Sequence, residues 1–155
     1  MPSKSQLFIF YLLSFTWALP WTLVGLFVLL FIAVFMRDKV EIRTIAGRVA
    51  VHFKDGKFGG ASLGLVYLVG RYNSLHTNRH ELGHTLQHIY WGPLFIFIIA
   101  IPSSLRCAMW KPYRDWHFKK YKEYPIYDQI WFEGQATRLG YKYFKESVDK
   151  ALGGN

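Results

Sequence analysis

The residues LHTNRHELGHTLQHIYW, at positions 75–91, decide how the rest of this sequence is organised. Four aliphatic side chains recur there at the spacing of one helical face: Leu75, Leu82, Leu86 and Ile89. That spacing predicts an amphipathic helix with one buried side. Asn73 or Ser74 can cap its first turn, and the Gly92-Pro93 pair can end it.

The side of this helix that faces away from the aliphatic stripe carries His80 and His84, with Glu81 beside His80. Two histidines four residues apart project from one face and can bind one zinc ion at about 2.0–2.1 Å. Glu81 would then lie beside an open coordination position, where it can accept a proton from water whose pKa zinc has lowered to about 7. The pattern predicts one Zn²⁺ ion with Glu81 as the catalytic base. The alternative is a solvated helix face with surface histidines.

His76 and His88 continue the four-residue spacing. At the rise of an α-helix, His88 lies about 12 Å along the axis from His80, which is too far for both to bind one ion. We expect these two histidines to have polar or supporting roles.

A catalytic zinc ion needs a third protein ligand. The downstream candidates are His117, Glu123, Asp128, Glu133 and Glu146. Glu133 is favoured because mostly small side chains share its helix face and would allow close approach to the histidine helix. These neighbours are Gln129, Ala136, Thr137 and Gly140. The alternatives are an exposed carboxylate at Glu133 and a helix-start role for Asp128, while His117 is a candidate accessory proton donor or oxyanion partner.

Upstream, residues 7–36 contain no charged side chain, which predicts a segment buried in lipid. A straight helix of this length would measure about 45 Å, longer than a hydrocarbon core of roughly 30 Å, and Pro20 predicts a kink near its middle. Two arrangements are open: an interfacial helix followed by a crossing helix, or a hairpin that returns to the same side. For a crossing, the basic residues after position 36 place the remainder in the cytoplasm. We therefore expect an integral membrane protein whose catalytic part is cytoplasmic.

The middle and end of the chain predict a compact α+β unit. Residues 48–53 and 62–70 have the composition of strands, and Asp55-Gly56 is a hairpin turn, so we expect a small antiparallel sheet. The apolar residues 93–105, broken at Pro102, predict a re-entrant or interfacial segment. A basic connector (106–122) and Pro125 then precede a final helix, which carries Glu133.

The predicted organisation is a membrane anchor over residues 1–37, kinked at Pro20, followed by a catalytic domain over residues 38–155. This domain includes a membrane-associated segment, residues 93–110. The formal net charge of +9 comes without any nucleic-acid-binding signature, so an anionic membrane surface explains it better than a nucleic acid. Cys107 is the sole cysteine, which excludes a disulfide within one chain and a cysteine-ligated zinc site.

HELGH followed by a glutamate on a later helix resembles the gluzincin branch of the zincin metallopeptidases. The wider pattern is similar to a group of small, largely uncharacterised bacterial membrane proteins. The shared pieces here are LP (19–20), SLG (62–64), HELGHTLQ (80–87), GPL (92–94), IPS (101–103) and EGQATRLG (133–140). The resemblance implies a minimal zincin-like fold in which His80, His84 and Glu133 bind zinc and Glu81 polarises water.

In zincins, the strand before the active-site helix pairs with extended substrate backbone. By this analogy, Ser62, Leu63, Gly64 and Leu65 form a possible substrate edge, and the alternative is a core strand without that role. The chain lacks the third histidine and glycine of the metzincin extension, and Asp128 has no N-P-D-G context of the site-2 protease kind.

The function predicted from these observations is a membrane-associated zinc metallopeptidase that cleaves a protein or peptide with zinc-activated water. A non-catalytic metal-binding or structural membrane protein is the first alternative. A zinc hydrolase acting on a non-peptide amide or ester is the second.

Overall fold

A computed structural model describes residues 2–55, 59–70 and 74–153. The described chain is α+β, as predicted. Its helices are α1 (Lys4–Ser14), α2 (Leu19–Phe35), α3 (Leu75–Trp91), α4 (Ile101–Tyr121) and α5 (Trp131–Leu152). Its strands are β1 (Val40–Ile45), β2 (Arg48–Phe53), β3 (Gly60–Leu63) and β4 (Val66–Val69).

The four strands form one sheet in the order β1-β2-β4-β3. β1 pairs antiparallel with β2 through a tight turn in which Ala46 (φ 51°) and Gly47 (φ 77°) are both left-handed, the geometry of a type I′ hairpin. β3 pairs antiparallel with β4, whereas β2 and β4 are parallel. The prediction of an antiparallel sheet is therefore wrong for one pair. After β2, the chain first forms the edge strand β3 and then turns back as β4, which lies beside β2 in the same direction.

The predicted strand over residues 62–70 is two strands. Gly64 has a positive φ of 66° and forms a two-residue turn with Leu65, so the segment folds back on itself. Of the predicted Asp55-Gly56 turn, Gly56 lies outside the described residues.

The sheet is covered on both faces. On one face, Ile32 of α2 packs against Val40, Val51 and Val66. On the other, Leu82 of α3 and two α5 side chains, Phe144 and Val148, share a core with strand residues. The predicted anchor and the predicted catalytic domain are thus joined through a common hydrophobic core.

The N-terminal apolar segment bends as predicted near Pro20, which occupies the first turn of α2, where a proline needs no hydrogen-bond partner. Within residues 2–55, 59–70 and 74–153, no single α-helix is both long and apolar enough to span a bilayer. Two helix pairs qualify by length and composition only across sharp bends, 93° between α1 and α2 and 119° between residues 75–94 and 96–121.

Helix α3 runs over the predicted residues, with the Ser74 hydroxyl accepting from the Thr77 amide and Gly92 (φ 48°) ending it. After it, the chain differs from expectation. Pro102 does not break the segment but lies in the first turn of α4. The predicted basic connector is helical as far as Tyr121, with Pro112 inside the helix. The final helix, α5, begins at Trp131, after a short 3₁₀ turn at Tyr127–Gln129.

Candidate metal centre

Two glycines allow α3 and α5 to cross in backbone contact. Gly83 of α3 lies against the Ala136 carbonyl, and Gly140 of α5 lies against the Arg79 carbonyl; a Cβ atom at either glycine would overlap that oxygen. The small face predicted for α5 is therefore matched by a small residue between the two histidines of α3. Because the contact is this close, Glu133 in the first turn of α5 reaches His80 and His84.

Three side-chain atoms from these residues converge in the interior. The Nε2 atom of His80 lies 3.0 Å from Oε2 of Glu133 and 3.1 Å from Nε2 of His84, and the third side of the triangle is 3.4 Å. A point about 1 Å outside the plane of these atoms is roughly 2.0–2.1 Å from each, a distance typical of zinc bound to histidine or carboxylate. The buried group could therefore hold a metal ion.

The hydrogen bonds behind His84 fix its protonation. The Gln87 amide nitrogen donates to the Phe132 carbonyl and to Oε1 of Gln135, both at 2.8 Å. A backbone carbonyl can only accept, so the amide oxygen of Gln87 must face His84, whose Nδ1 lies 2.7 Å away. Nδ1 of His84 therefore carries the hydrogen, and its Nε2 lone pair points into the cluster.

A second chain fixes His80 in the same way. The Thr137 hydroxyl donates to Oδ2 of Asp128 at 2.6 Å, so its oxygen must accept from Nδ1 of His80, 2.8 Å away. His80 also presents an Nε2 lone pair to the cluster. Asp128 thus supports a histidine rather than joining the set of converging atoms, and His76 lies 3.7 Å from the same carboxylate oxygen.

The carboxylate of Glu133 is fixed through Oε1, the oxygen that does not face the histidines. Oε1 accepts a 2.5 Å hydrogen bond from Ser103 in the first turn of α4, leaving Oε2 to face the histidines. The glutamate is 1% exposed, so this anion needs a positive neighbour. Burial raises the pKa of Glu133, but its hydrogen bonds with His80 and His84 outweigh burial and lower that pKa.

The pKa of His80 responds in the opposite direction. Burial lowers it, but the hydrogen bond with Glu133 and the charges of Glu81 and Glu133 outweigh burial and raise it. The cluster therefore favours a positive charge between its atoms. A proton and a metal cation would compete for the same lone pairs.

Glu81 lies outside the triangle, between α3 and the edge of the sheet. Its carboxylate packs against Gly60 of β3, where a Cβ atom would overlap it. Glu81 is 5% exposed, and burial raises its pKa while the charges of His84 and His80 lower it. A carboxyl group with a raised pKa is a stronger base than an exposed one.

The predicted substrate edge falls on the β3–β4 hairpin. Ser62 and Leu63 are in β3, an outer strand of the sheet, while Gly64 and Leu65 form the turn. The Gly70 amide donates to the Gly59 carbonyl, so by antiparallel alternation the backbone groups of Gly60 point to the open edge.

The remaining candidate histidines lie elsewhere. His117 places Nδ1 2.9 Å from the Glu123 carbonyl and its ring against Tyr121, so the structure does not bring it into the cluster. His88 is buried, and its Nε2 lies 3.2 Å from both the Ser62 carbonyl and the Gly64 amide. Burial and the charge of His84 lower the pKa of His88 to about 3, so it holds the hairpin turn as a neutral ring.

Sequence reasoning missed four supporting side chains: Gln87, Ser103, Gln135 and Thr137 as a hydrogen-bonding residue. Gln87 follows His84 by three residues on one helix face, a signal that was present in the sequence. Ser103 and Thr137 depend on how α4 and α5 pack, which no local pattern reveals.

Comparison of the chain with protein-family models, curated proteins and solved structures finds no match.

Proposed function

We propose that this protein is a membrane-associated, zinc-dependent metallopeptidase that cleaves a protein or peptide near the membrane. One observation carries the proposal: Nε2 of His80, Nε2 of His84 and Oε2 of Glu133 lie within 3.4 Å of one another, and each offers a lone pair. The Nδ1 hydrogens of the two histidines are donated to Thr137 and Gln87 instead. Such a group is repulsive without a cation. Two histidines and one carboxylate leave a fourth position open, which is typical of catalytic zinc sites.

A zinc ion at this position would lower the pKa of a water molecule to about 7. Glu81 would accept the proton of that water; the support for this role is that Glu81 follows His80 directly and that its carboxylate lies between α3 and β3. The outward backbone groups of Gly60 would pair with an extended substrate, holding its carbonyl beside Glu81. Ser103, Thr137 and Gln87 keep the three ligands oriented.

Attachment to a membrane is supported by large apolar side chains on the outer faces of α1 and α2. Phe8, Phe27 and Phe35 are 68%, 71% and 70% exposed. Soluble proteins rarely expose an apolar surface of this extent. We propose that these faces lie in lipid with the catalytic part on the cytoplasmic side. Because α2 also packs on the sheet, it would lie against the rest of the protein rather than stand apart from it.

The burial of the ligands also favours a second candidate, a non-catalytic protein that the metal stabilises. His80, His84 and Glu133 are 9%, 6% and 1% exposed, and structural zinc sites are closed. Glu81 distinguishes the two candidates, because a purely structural site has no need of a base beside it.

The test compares Glu81→Gln with Glu133→Ala in the full-length protein. Glu81→Gln should retain near-stoichiometric zinc but lose chelator-sensitive cleavage of a mixed peptide library by a factor on the order of 10² to 10⁴. Glu133→Ala should lose zinc, with activity partly restored by added zinc. Glu123→Gln, on the segment before α5, is the matched control and should behave as the parent. Parental hydrolysis by Glu81→Gln would reject the mechanism, and zinc binding without any hydrolysis by the parent would favour the structural candidate.

A further inference from the structure

A cavity of about 610 Å³ lies on the other side of α3 from the metal centre. Its walls come from α1, α3 and α5, and the α1 and α3 walls are largely aliphatic, including Ile9, Leu13, Leu86 and Ile89. Small-molecule sites in proteins typically measure about 300–1,000 Å³ and are mostly apolar with a few polar groups. The dimensions and walls of this cavity are those of a ligand site.

Among the polar side chains that line the cavity, Arg48 of β2 is the buried one, at 2% exposed. Its guanidinium donates to the Ala46 carbonyl at 2.5 Å and to the Thr85 hydroxyl at 3.4 Å. It also lies over the rings of Phe10 (3.6 Å) and Phe144 (4.7 Å). These partners are all neutral, and none of the ion pairs within the described residues includes Arg48.

A buried cation without an anion is costly, and natural proteins almost always pair one. Burial lowers the pKa of Arg48 to about 10, which is the expected response of an uncompensated charge. Two further cations, Lys142 and Lys145, lie at the rim with one acid, Glu146. The charge around the cavity is therefore predominantly positive, and a negatively charged head group would complement it.

We propose that this cavity binds an anionic amphiphile, with a carboxylate or phosphate head held by Arg48 and an acyl chain lying between α1 and α3. The head would accept hydrogen bonds from the guanidinium, and the two rim lysines would attract it from solvent. The chain would replace water against Ile9, Leu13, Leu86 and Ile89. This site is separate from the metal centre and does not rest on the proposed hydrolysis.

The competing explanation is that Arg48 is only a clamp, joining α1 to α5 by stacking between Phe10 and Phe144. A clamp would require neither an adjoining cavity nor cations at its rim. It also predicts that Arg48→Met changes stability but no ligand affinity, which makes the two explanations separable.

The test uses the full-length protein in nanodiscs of neutral phosphatidylcholine, with radiolabelled myristate as the probe. Saturable binding of about one myristate per chain is expected. Dodecyl phosphate should compete, because it has both an anionic head and a chain, whereas tetradecanol and inorganic phosphate should not. Competition by tetradecanol equal to that by dodecyl phosphate would overturn the role of the charge, and competition by inorganic phosphate alone would reduce the site to a simple anion site.

Two variants alter the site differently. Arg48→Met removes the charge, and Ile89→Trp keeps the charge while filling the chain-binding part; each should weaken myristate binding by at least about tenfold. Lys119→Gln, on the exposed surface of α4, is the control and should bind within about twofold of the parent. Thermal unfolding followed by circular dichroism is measured on every variant to show that it is folded. If Arg48→Met does not fold, Ile89→Trp decides alone, and parental myristate affinity in folded Ile89→Trp would reject the proposal.

Discussion

Four histidines stand four residues apart along α3, yet the middle of this helix and its two ends use them differently. In the middle, His80 and His84 bring their Nε2 atoms within 3.1 Å of each other and face Glu133. At the ends, His76 is exposed beside Tyr141, and His88 is buried under the β3–β4 turn. An identical spacing therefore gives a group that could hold a metal ion in one region and two unrelated roles in the other.

The difference comes from α5. Gly83 and Gly140 allow the backbones of α5 and α3 to touch beside His80 and His84, and the first turn of α5 delivers Glu133 there. At the start of α3, His76 meets α5 through the Tyr141 side chain, and at the other end His88 meets the β3–β4 turn. A histidine of α3 becomes part of the candidate metal centre where α5 crosses it closely enough to bring Glu133 into contact.

The largest effect is expected from removing a middle histidine. His84→Ala takes away one of three protein ligands and should lower zinc affinity on the order of 10³-fold. His76→Ala removes an exposed side chain from the same helix and should change that affinity less than about fivefold. Competition with a chromogenic chelator measures both. Equal losses in the two variants would mean that the middle of α3 is not special.

The next prediction moves the crossing helix and leaves every ligand in place. Gly140→Val pushes α5 away from the Arg79 carbonyl, so zinc affinity should fall on the order of 10²-fold. The free energy of unfolding should fall by about 1–3 kcal/mol or more, because the added atoms overpack the contact.

Gly59→Ala is the matched control, since a Cβ atom at Gly59 meets nothing within 4 Å. It should leave the free energy of unfolding within about 0.5 kcal/mol of the parent, and zinc binding unaltered. Full zinc affinity in a folded Gly140→Val variant would show that close helix approach is not what forms the centre.

A smaller effect is expected from Thr137, which is not a ligand but is hydrogen-bonded to one. Thr137→Val breaks the chain from Asp128 to Nδ1 of His80 and frees the ring to change orientation or tautomer. Loss of such a supporting hydrogen bond typically lowers metal affinity about 10- to 100-fold, and we expect the lower end here because two ligands stay fixed. Ser147→Ala deletes a hydroxyl of α5 whose oxygen is buried without a partner, and it should leave zinc affinity unchanged. The zinc affinity of both variants is measured by chelator competition. Equal affinities would show that Thr137 does not help to orient His80.

Local sequence patterns were sufficient for the elements that are regular on their own. Helix α3 and its end at Gly92 follow from periodicity and capping chemistry, which left Asn73 and Ser74 open as the cap; the structure has Ser74 there. Glu133 was also identifiable, because Ala136 and Gly140 mark a face that can approach another helix. The identity of the metal as zinc and the hydrolytic activity remain predictions.

Features that depend on long-range packing were not accessible from sequence. In the sequence, Gly64 looks like a glycine within one strand, whereas in the structure it begins the turn between β3 and β4. The parallel pairing of β2 with β4 joins residues that are not neighbours in the chain. Pro102 suggested a break, yet α4 tolerates it because it lies in the opening turn, and Pro112 lies inside the same helix. Ser103 reaches Glu133 only because α4 continues as a helix past the metal centre.

The most direct test of the central claim is the zinc content of the full-length protein, measured by elemental mass spectrometry after removal of excess metal. The account predicts about one zinc per chain in the parent and in Glu81→Gln, with less than about a tenth of an equivalent in Glu133→Ala. Retention of zinc by Glu133→Ala at the parental level, or absence of any bound divalent metal from the zinc-treated parent, would contradict it.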